Sequence, residues 1–171
     1  MKDFTKTRCC FIGHRKIDKS PYLEERIYRK TERLIKTGVN TFLFGSNSEF
    51  DSLCYEIVSN LKKKYPKIRR IYIRAEYPDI DEDYTAYLLE RYEDTYYPAK
   101  IRSSGRAAYI ERNIYMINQC SICIFYYKDG YLPPRRRSSK RDLTNYQPKS
   151  GTETAYNYAV KKQKEVINIA Y

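Results

Sequence analysis

Short apolar runs, each closed by glycine or a polar turn and followed by an amphipathic stretch, recur along this chain. No other feature narrows its folding options so far. Arg8-Cys9-Cys10-Phe11-Ile12 ends at Gly13, and Thr41-Phe42-Leu43-Phe44 ends at Gly45. Runs of this length, bounded by turn signals, suit strands buried on both faces. Ser20-Pro21 opens the first helical stretch with an N-cap and a proline at its first position, and Leu23, Ile27, Leu34 and Ile35 carry it to Gly38. Behind Gly45, Phe50, Leu53, Cys54, Ile57, Val58 and Leu61 fall on one face of a helix.

The pattern continues with a third strand over Ile68 to Ile73. Residues 76–106 are less regular, with a short helix in "DIDEDYTAYLLERYED" and a turn at Tyr97-Pro98. A helix from about Ala107 to Gln119, with Ala107, Ile110, Ile114 and Ile117 on one side, leads to a strand over Ser121–Tyr126. After a basic loop come a helix from about Thr152 to Lys162 and a last strand from Val166 to Ile169. Repeated strand–helix alternation predicts an α/β fold: a single Rossmann-like domain over 1–171, with a parallel sheet of about five strands and helices on both faces. The basic loop at about 127–150 is an insertion in it.

Composition supports that reading. A chain of 171 residues is one domain's worth, and 42% hydrophobic content can fill one core, although 20 of those residues are tyrosines. No run approaches the roughly 20 apolar residues that span a bilayer, and the Met1–Lys6 start lacks an apolar signal core. A cytoplasmic location without membrane contact is therefore expected. The five cysteines, Cys9, Cys10, Cys54, Cys120 and Cys123, sit mostly in apolar runs and read as buried thiols. Cys120 and Cys123 have metal-ligand spacing but lack a second pair, and His14 is the only histidine; neither a metal nor a cofactor is expected.

The net charge of +12 is clustered. Residues 62–74 hold seven basic and no acidic residues, and residues 127–150 hold seven basic and two acidic ones. An anionic partner, from a nucleotide to a polynucleotide, suits that distribution. Oligomeric state is open, a homo-oligomer included.

In a parallel sheet the loops that follow strands emerge at one edge, and ligands bind there. Three such loops carry polar groups: Gly13-His14-Arg15-Lys16, the turn from Gly45 through Ser46, Asn47 and Glu49 to Asp51, and Lys149-Ser150-Gly151-Thr152-Glu153. Free amides at a helix start can hold phosphate, and a carboxylate such as Asp51 can accept from ribose hydroxyls. The same turns also fit capping boxes, Ser46…Glu49, Ser48…Asp51 and Ser150…Glu153, which satisfy those amides without a ligand. In "YIERNIYMINQC", Asn113 lies beside the isoleucine face and Arg112 is expected to point away from it.

"CCFIGHR", "FGSNSEFDSLCYEIVSNLKKKYP", "YIERNIYMINQCSICIFYY" and "SGTETAYNYAVKKQKEVINI" resemble, in order and spacing, the YpsA-like branch of the SLOG superfamily, named for Smf/DprA and LOG proteins. The resemblance runs from about Arg8 to Ile169. It implies a Rossmann-like fold that binds a nucleotide or nucleotide-derived molecule, in some members as a sensor in stress or conflict systems. By position, the pocket would comprise Gly13, His14, Arg15, Gly45, Asp51, Arg112, Asn113, Ser150, Gly151 and Thr152. Two departures matter. Gly45-Ser-Asn-Ser-Glu49 replaces a glycine-rich turn, so the Glu49 carboxylate would repel phosphate unless it turns away or pairs with a cation such as Arg15. The phosphoribohydrolase motif of the LOG branch is reduced to Ser150-Gly151-Thr152-Glu153, with Ala155 where that motif has its glutamate, which disfavours hydrolysis.

The leading expectation is thus a binding protein for a nucleotide or nucleotide-derived ligand, with 127–150 as a basic lid. The alternatives are a nucleotide N-glycosidic hydrolase using Glu153 or Asp51, and DprA-like binding of single-stranded nucleic acid through Arg135-Arg136-Arg137, the lysine run and interleaved tyrosines.

Overall fold

The apolar runs become strands of one parallel sheet. The computed structural model describes residues 3–132 and 150–171. Strands β1 (Arg8–Gly13), β2 (Thr41–Phe44), β3 (Arg69–Ile73), β4 (Asp94–Tyr96), β5 (Ile122–Tyr126) and β6 (Glu165–Asn168) lie in the order β4-β3-β2-β1-β5-β6. Every neighbouring pair is parallel, with Cys10 opposite both Leu43 and Cys123 at the centre.

Parallel neighbours need crossovers. Helices α1 (Pro21–Lys36), α2 (Glu49–Lys64), α3 (Glu82–Arg91), α4 (Arg106–Gln119) and α5 (Gly151–Lys161) supply them. Ser20 Oγ accepts from Leu23 N–H to start α1, and Gly38, at φ +112, lets the chain leave it. α2 buries all six apolar positions expected to face inward, from Phe50 to Leu61.

Alternation along each strand divides the core. Cys9, Phe11, Phe42, Phe44 and Ile124 pack with Leu23 and Ile27 of α1, with Leu53 and Val58 of α2 and with Leu88 of α3. Cys10, Ile12, Leu43, Ile71 and Phe125 face the other way, onto Met116 and Ile117 of α4 and Ala155 and Ala159 of α5. Helices therefore cover both sides of the sheet. All five cysteines are buried and free, as their apolar settings predict. Among the described residues, no helix is long and apolar enough to cross a membrane.

Two features differ from the sequence reading. The sheet has six strands among the described residues; β4, from the irregular 76–106 segment, adds an edge next to β3. β4 has only three half-buried residues and no apolar run, so no local signal marks it. It is held instead by Glu93, whose carboxylate takes Arg70 Nε at 3.1 Å, Arg70 Nη2 at 2.8 Å and the Arg70 amide at 2.6 Å. The second difference is the phase of α4. Its buried face is Ala108, Arg112, Met116 and Ile117, while Ile110 and Ile114 are half-buried and Ala107 is exposed. Arg112 points into the protein.

The chain steps outward from β1 through β2 and β3 to β4, then returns to β5 on the other side of β1. The strand order reverses between β1 and β5. At such a point the flanking loops part, and a crevice opens beyond the carboxyl ends of the strands.

Candidate functional site

β1 ends at a glycine for a packing reason. A Cβ at Gly13 would lie 2.2 Å from Phe50 Cδ1, so α2 could not seat against any larger residue there. His14 follows with 1% exposure, and its Nε2 accepts from the Lys128 amide at 2.8 Å. Only the neutral ring with its proton on Nδ1 makes that bond. Burial, together with the nearby Lys128 charge, lowers the His14 pKa from 6.5 to about 4. Nδ1 is buried and has no partner among the described residues. Arg15 is exposed, and its carbonyl accepts from Glu49 N–H at 2.9 Å.

The β2–α2 turn is a locked joint. Ser48, not Ser46, is the N-cap, and its Oγ accepts from Asp51 N–H at 3.0 Å while Ser46 Oγ donates to it at 2.9 Å. Asn47 is exposed. Glu49 turns toward the β1 loop, where it accepts from Lys16 Nζ at 2.8 Å and from the Ile17 amide at 3.0 Å. The cation that neutralises it is Lys16 rather than Arg15. Those bonds, Lys16 first, hold the Glu49 pKa below the ordinary carboxylate value. Glu49 and Asp51 amides are thus used within the chain, and the helix start is not a bare phosphate cradle.

Asp51 is different. It is 3% exposed, and no reciprocal capping bond engages its Oδ1, which is buried without a partner. Burial raises its pKa from 3.8 to about 7, against the opposing pull of Arg112 and the amides of Gly45 and Ser46. Arg112, 5% exposed on α4, donates Nη1–H to the Gly45 carbonyl, and its guanidinium lies 5.2 Å from the Tyr109 ring centre. Its Nε is buried and unpartnered. Burial lowers the Arg112 pKa, opposed by Tyr72, Asp51 and Tyr109.

Gly45 makes this arrangement possible. A Cβ there would meet Arg112 Cδ at 2.7 Å and Met116 Sδ at 2.8 Å. The conflict between a side chain at 45 and a guanidinium at 112 is the reason for glycine at the end of β2. Tyr109, over whose ring Arg112 lies, also lines an open cavity of about 290 Å³ together with Ala75, Glu76, Tyr77 and Gly105, and its Oη donates to Glu76 at 3.0 Å.

At α5, Ser150 Oγ accepts from Glu153 N–H at 3.0 Å, and Ser150 and Thr152 are buried. Among the described residues, a Cβ at Gly151 meets nothing within 4 Å. Glu153 is half-buried in the first turn, close enough for its charge to act on Tyr127. Asn113 is half-buried on α4, one position past Arg112.

All the anticipated loops therefore stand at the carboxyl edge of the sheet. The Asp51, Gly45 and Arg112 group forms a direct cluster there, while His14 belongs to a second cluster at the β1–β5 crevice. Sequence reasoning placed Lys16 in the first loop but did not pair it with Glu49, and it missed Tyr72, Tyr109, Lys128 and Tyr131; a tyrosine following Gly130 in the loop after β5 was the available signal for the last. Arg135-Arg136-Arg137 and most of the 127–150 loop lie outside the described residues.

Sheet order and helix placement define the doubly wound, Rossmann-like α/β class. No protein-family model and no curated relative matches the chain. Among solved structures it is similar to DNA processing protein A from Helicobacter pylori, a structure described for that protein's single-stranded DNA binding mode. The match has a TM-score of 0.57 at 18% identity and covers 95% of this chain and 64% of the other. At that identity the likeness is one of fold, and this chain spans less than two thirds of its neighbour's length.

Proposed function

We propose that this chain, as a YpsA-like SLOG protein of the cytoplasm, binds a nucleotide or nucleotide-derived molecule at the carboxyl edge of its sheet and acts as a sensor or reservoir for it. One observation carries the reading. Asp51, a carboxyl poised between its neutral and ionised forms, and the cationic Arg112 are buried beside the β2–α2 turn, and each retains a polar atom without a partner among the described residues. An unsatisfied buried polar group costs about 1–3 kcal/mol, which folding has already absorbed. A ligand presenting hydroxyls to Asp51 and an acceptor to Arg112 recovers that cost on binding, a form of preorganisation. Ribose with an adjoining phosphate has both groups.

Asp51 then accepts from ribose hydroxyls, and the open face of Gly151, with Ser150 and Thr152, receives phosphate. Gly13 and Gly45 act indirectly, by admitting Phe50 and Arg112. Glu49 stays on Lys16, so the β2–α2 turn meets sugar rather than a phosphate chain. Asp51 and Glu153 are the carboxylates available for N-glycosidic chemistry, and no contact recruits either to it.

Small molecules retained by the purified protein, identified by mass spectrometry, test the proposal. A nucleotide-derived species retained by the wild type and absent from Asp51→Ala supports it; identical, nucleotide-free extracts from both count against it.

A second reading is favoured by the fold likeness to a DNA processing protein and by the +12 net charge: binding of a single-stranded polynucleotide. It predicts affinity for oligonucleotides that falls steeply with salt. A complex insensitive to salt, or none at all, removes it.

A further inference from the structure

The crevice between β1 and β5 is filled by the chain itself. After β5, Lys128 donates its amide to His14 Nε2 at 2.8 Å and its ammonium to Asp18 at 2.6 Å. The chain then doubles back so that the Tyr131 ring stacks on the His14 imidazole, with centroids 3.8 Å apart and planes inclined by 15°. Tyr131 Oη accepts from the Lys16 amide at 3.3 Å. Tyr126 and Tyr127 complete the walls, at 6.1 Å and 5.8 Å from His14.

Tyr131 has the position of a guest. One flat face of His14 is covered by a half-buried ring carried on a loop, and among the described residues the phenol is held by a single long hydrogen bond. The slot lies where the strand order reverses, the position at which such sheets take flat ligands.

We infer that the His14 face is a nucleobase subsite held in reserve by Tyr131, which leaves when the base of the bound nucleotide takes its place. This assignment rests on the nucleotide reading above and adds where the base goes. Stacking on an aromatic face tolerates any base. Because Tyr131 must vacate first, apparent affinity is reduced by the fraction of molecules in which the slot is closed.

Calorimetry with adenosine 5′-monophosphate, guanosine 5′-monophosphate and ribose 5-phosphate on the full chain separates the possibilities. Tyr131→Ala is expected to tighten binding of the nucleoside monophosphates about tenfold and to leave ribose 5-phosphate unchanged. His14→Ala is expected to bring the nucleotides down to the affinity of ribose 5-phosphate. Tyr131→Phe, which keeps the ring and loses the hydroxyl, should shift nucleotide affinity by less than Tyr131→Ala. Nucleotide binding that is unchanged or weakened in Tyr131→Ala overturns the subsite while leaving the nucleotide reading intact. Failure of the wild type and every variant to bind any of the three overturns the subsite, and the nucleotide reading falls with it when the wild type binds neither ADP-ribose nor cyclic dinucleotides.

Discussion

Replacing Asp51 by asparagine tests the electrostatics of the site through stability. The carboxyl is 3% exposed, and burial lifts its pKa from 3.8 to about 7. Between those values the folded protein holds a proton that the unfolded chain has released, so stability falls as pH rises. The contribution is complete below about pH 4 and lost by about pH 8. A rise from 3.8 to about 7 corresponds to about 4 kcal/mol. Asparagine has nearly the same shape and does not titrate. Whatever its absolute effect, the stability of Asp51→Asn minus that of the wild type should therefore grow by about 4 kcal/mol from pH 4 to pH 8. Urea unfolding at several pH values, extrapolated to water, measures this difference, and every other titrating group cancels in it. Curves that stay parallel within about 1 kcal/mol would show that Asp51 ionises freely, and the claim of a buried, poised carboxyl would fall.

His14 should behave in the opposite sense: with its pKa lowered from 6.5 to about 4, its stabilising contribution is present above pH 6.5 and disappears as pH falls through 4. His14→Gln measured by the same unfolding series should flatten that loss, which amounts to about 3 kcal/mol. Gly45→Ala should cost about 1–3 kcal/mol in denaturant unfolding, because the new Cβ displaces Arg112 and Met116. Gly151→Ala, with open space at its Cβ, should stay within about 0.5 kcal/mol of the wild type. Ser48→Ala should lose about 1 kcal/mol, since Asp51 N–H loses its cap, and thermal melting would register the fall.

Local physics made much of the fold legible. α2 could be read residue by residue, because its apolar positions follow helical spacing from Phe50 to Leu61 and every one is buried. β1, β2 and β5 announced themselves as apolar runs ending in turns. Misreading began where long-range contacts decide. Isoleucines at 110 and 114 outbid Arg112 for the inner face of α4 on hydrophobicity, yet the guanidinium goes inward because Gly45, far away in sequence, leaves room and a carbonyl for it. β4 has no pattern of its own and exists through Glu93 and Arg70.

The site shows the same division. Capping chemistry at Ser48 and Ser150 is local and was visible, while the identity of the working N-cap at the β2–α2 turn depended on which of two overlapping boxes the fold selected. Glu49 looked like an obstacle to anions until Lys16 and the Ile17 amide claimed it. Nothing in the sequence pairs His14 with Tyr131. Their contact arises because β5 returns beside β1, a consequence of strand order rather than of any local motif.

The central claim is that the carboxyl edge holds a nucleotide through Asp51. Its most direct test is titration of nucleoside monophosphates, ADP-ribose and cyclic dinucleotides into the wild type and into Asp51→Ala, after cooperative unfolding has shown the variant to be folded. The account predicts that at least one of these binds the wild type tighter than about 1 mM, with at least about a tenfold loss in the variant, the equivalent of 1.4 kcal/mol. It is contradicted by a wild type that binds none of them at that level, or by a variant that binds equally well.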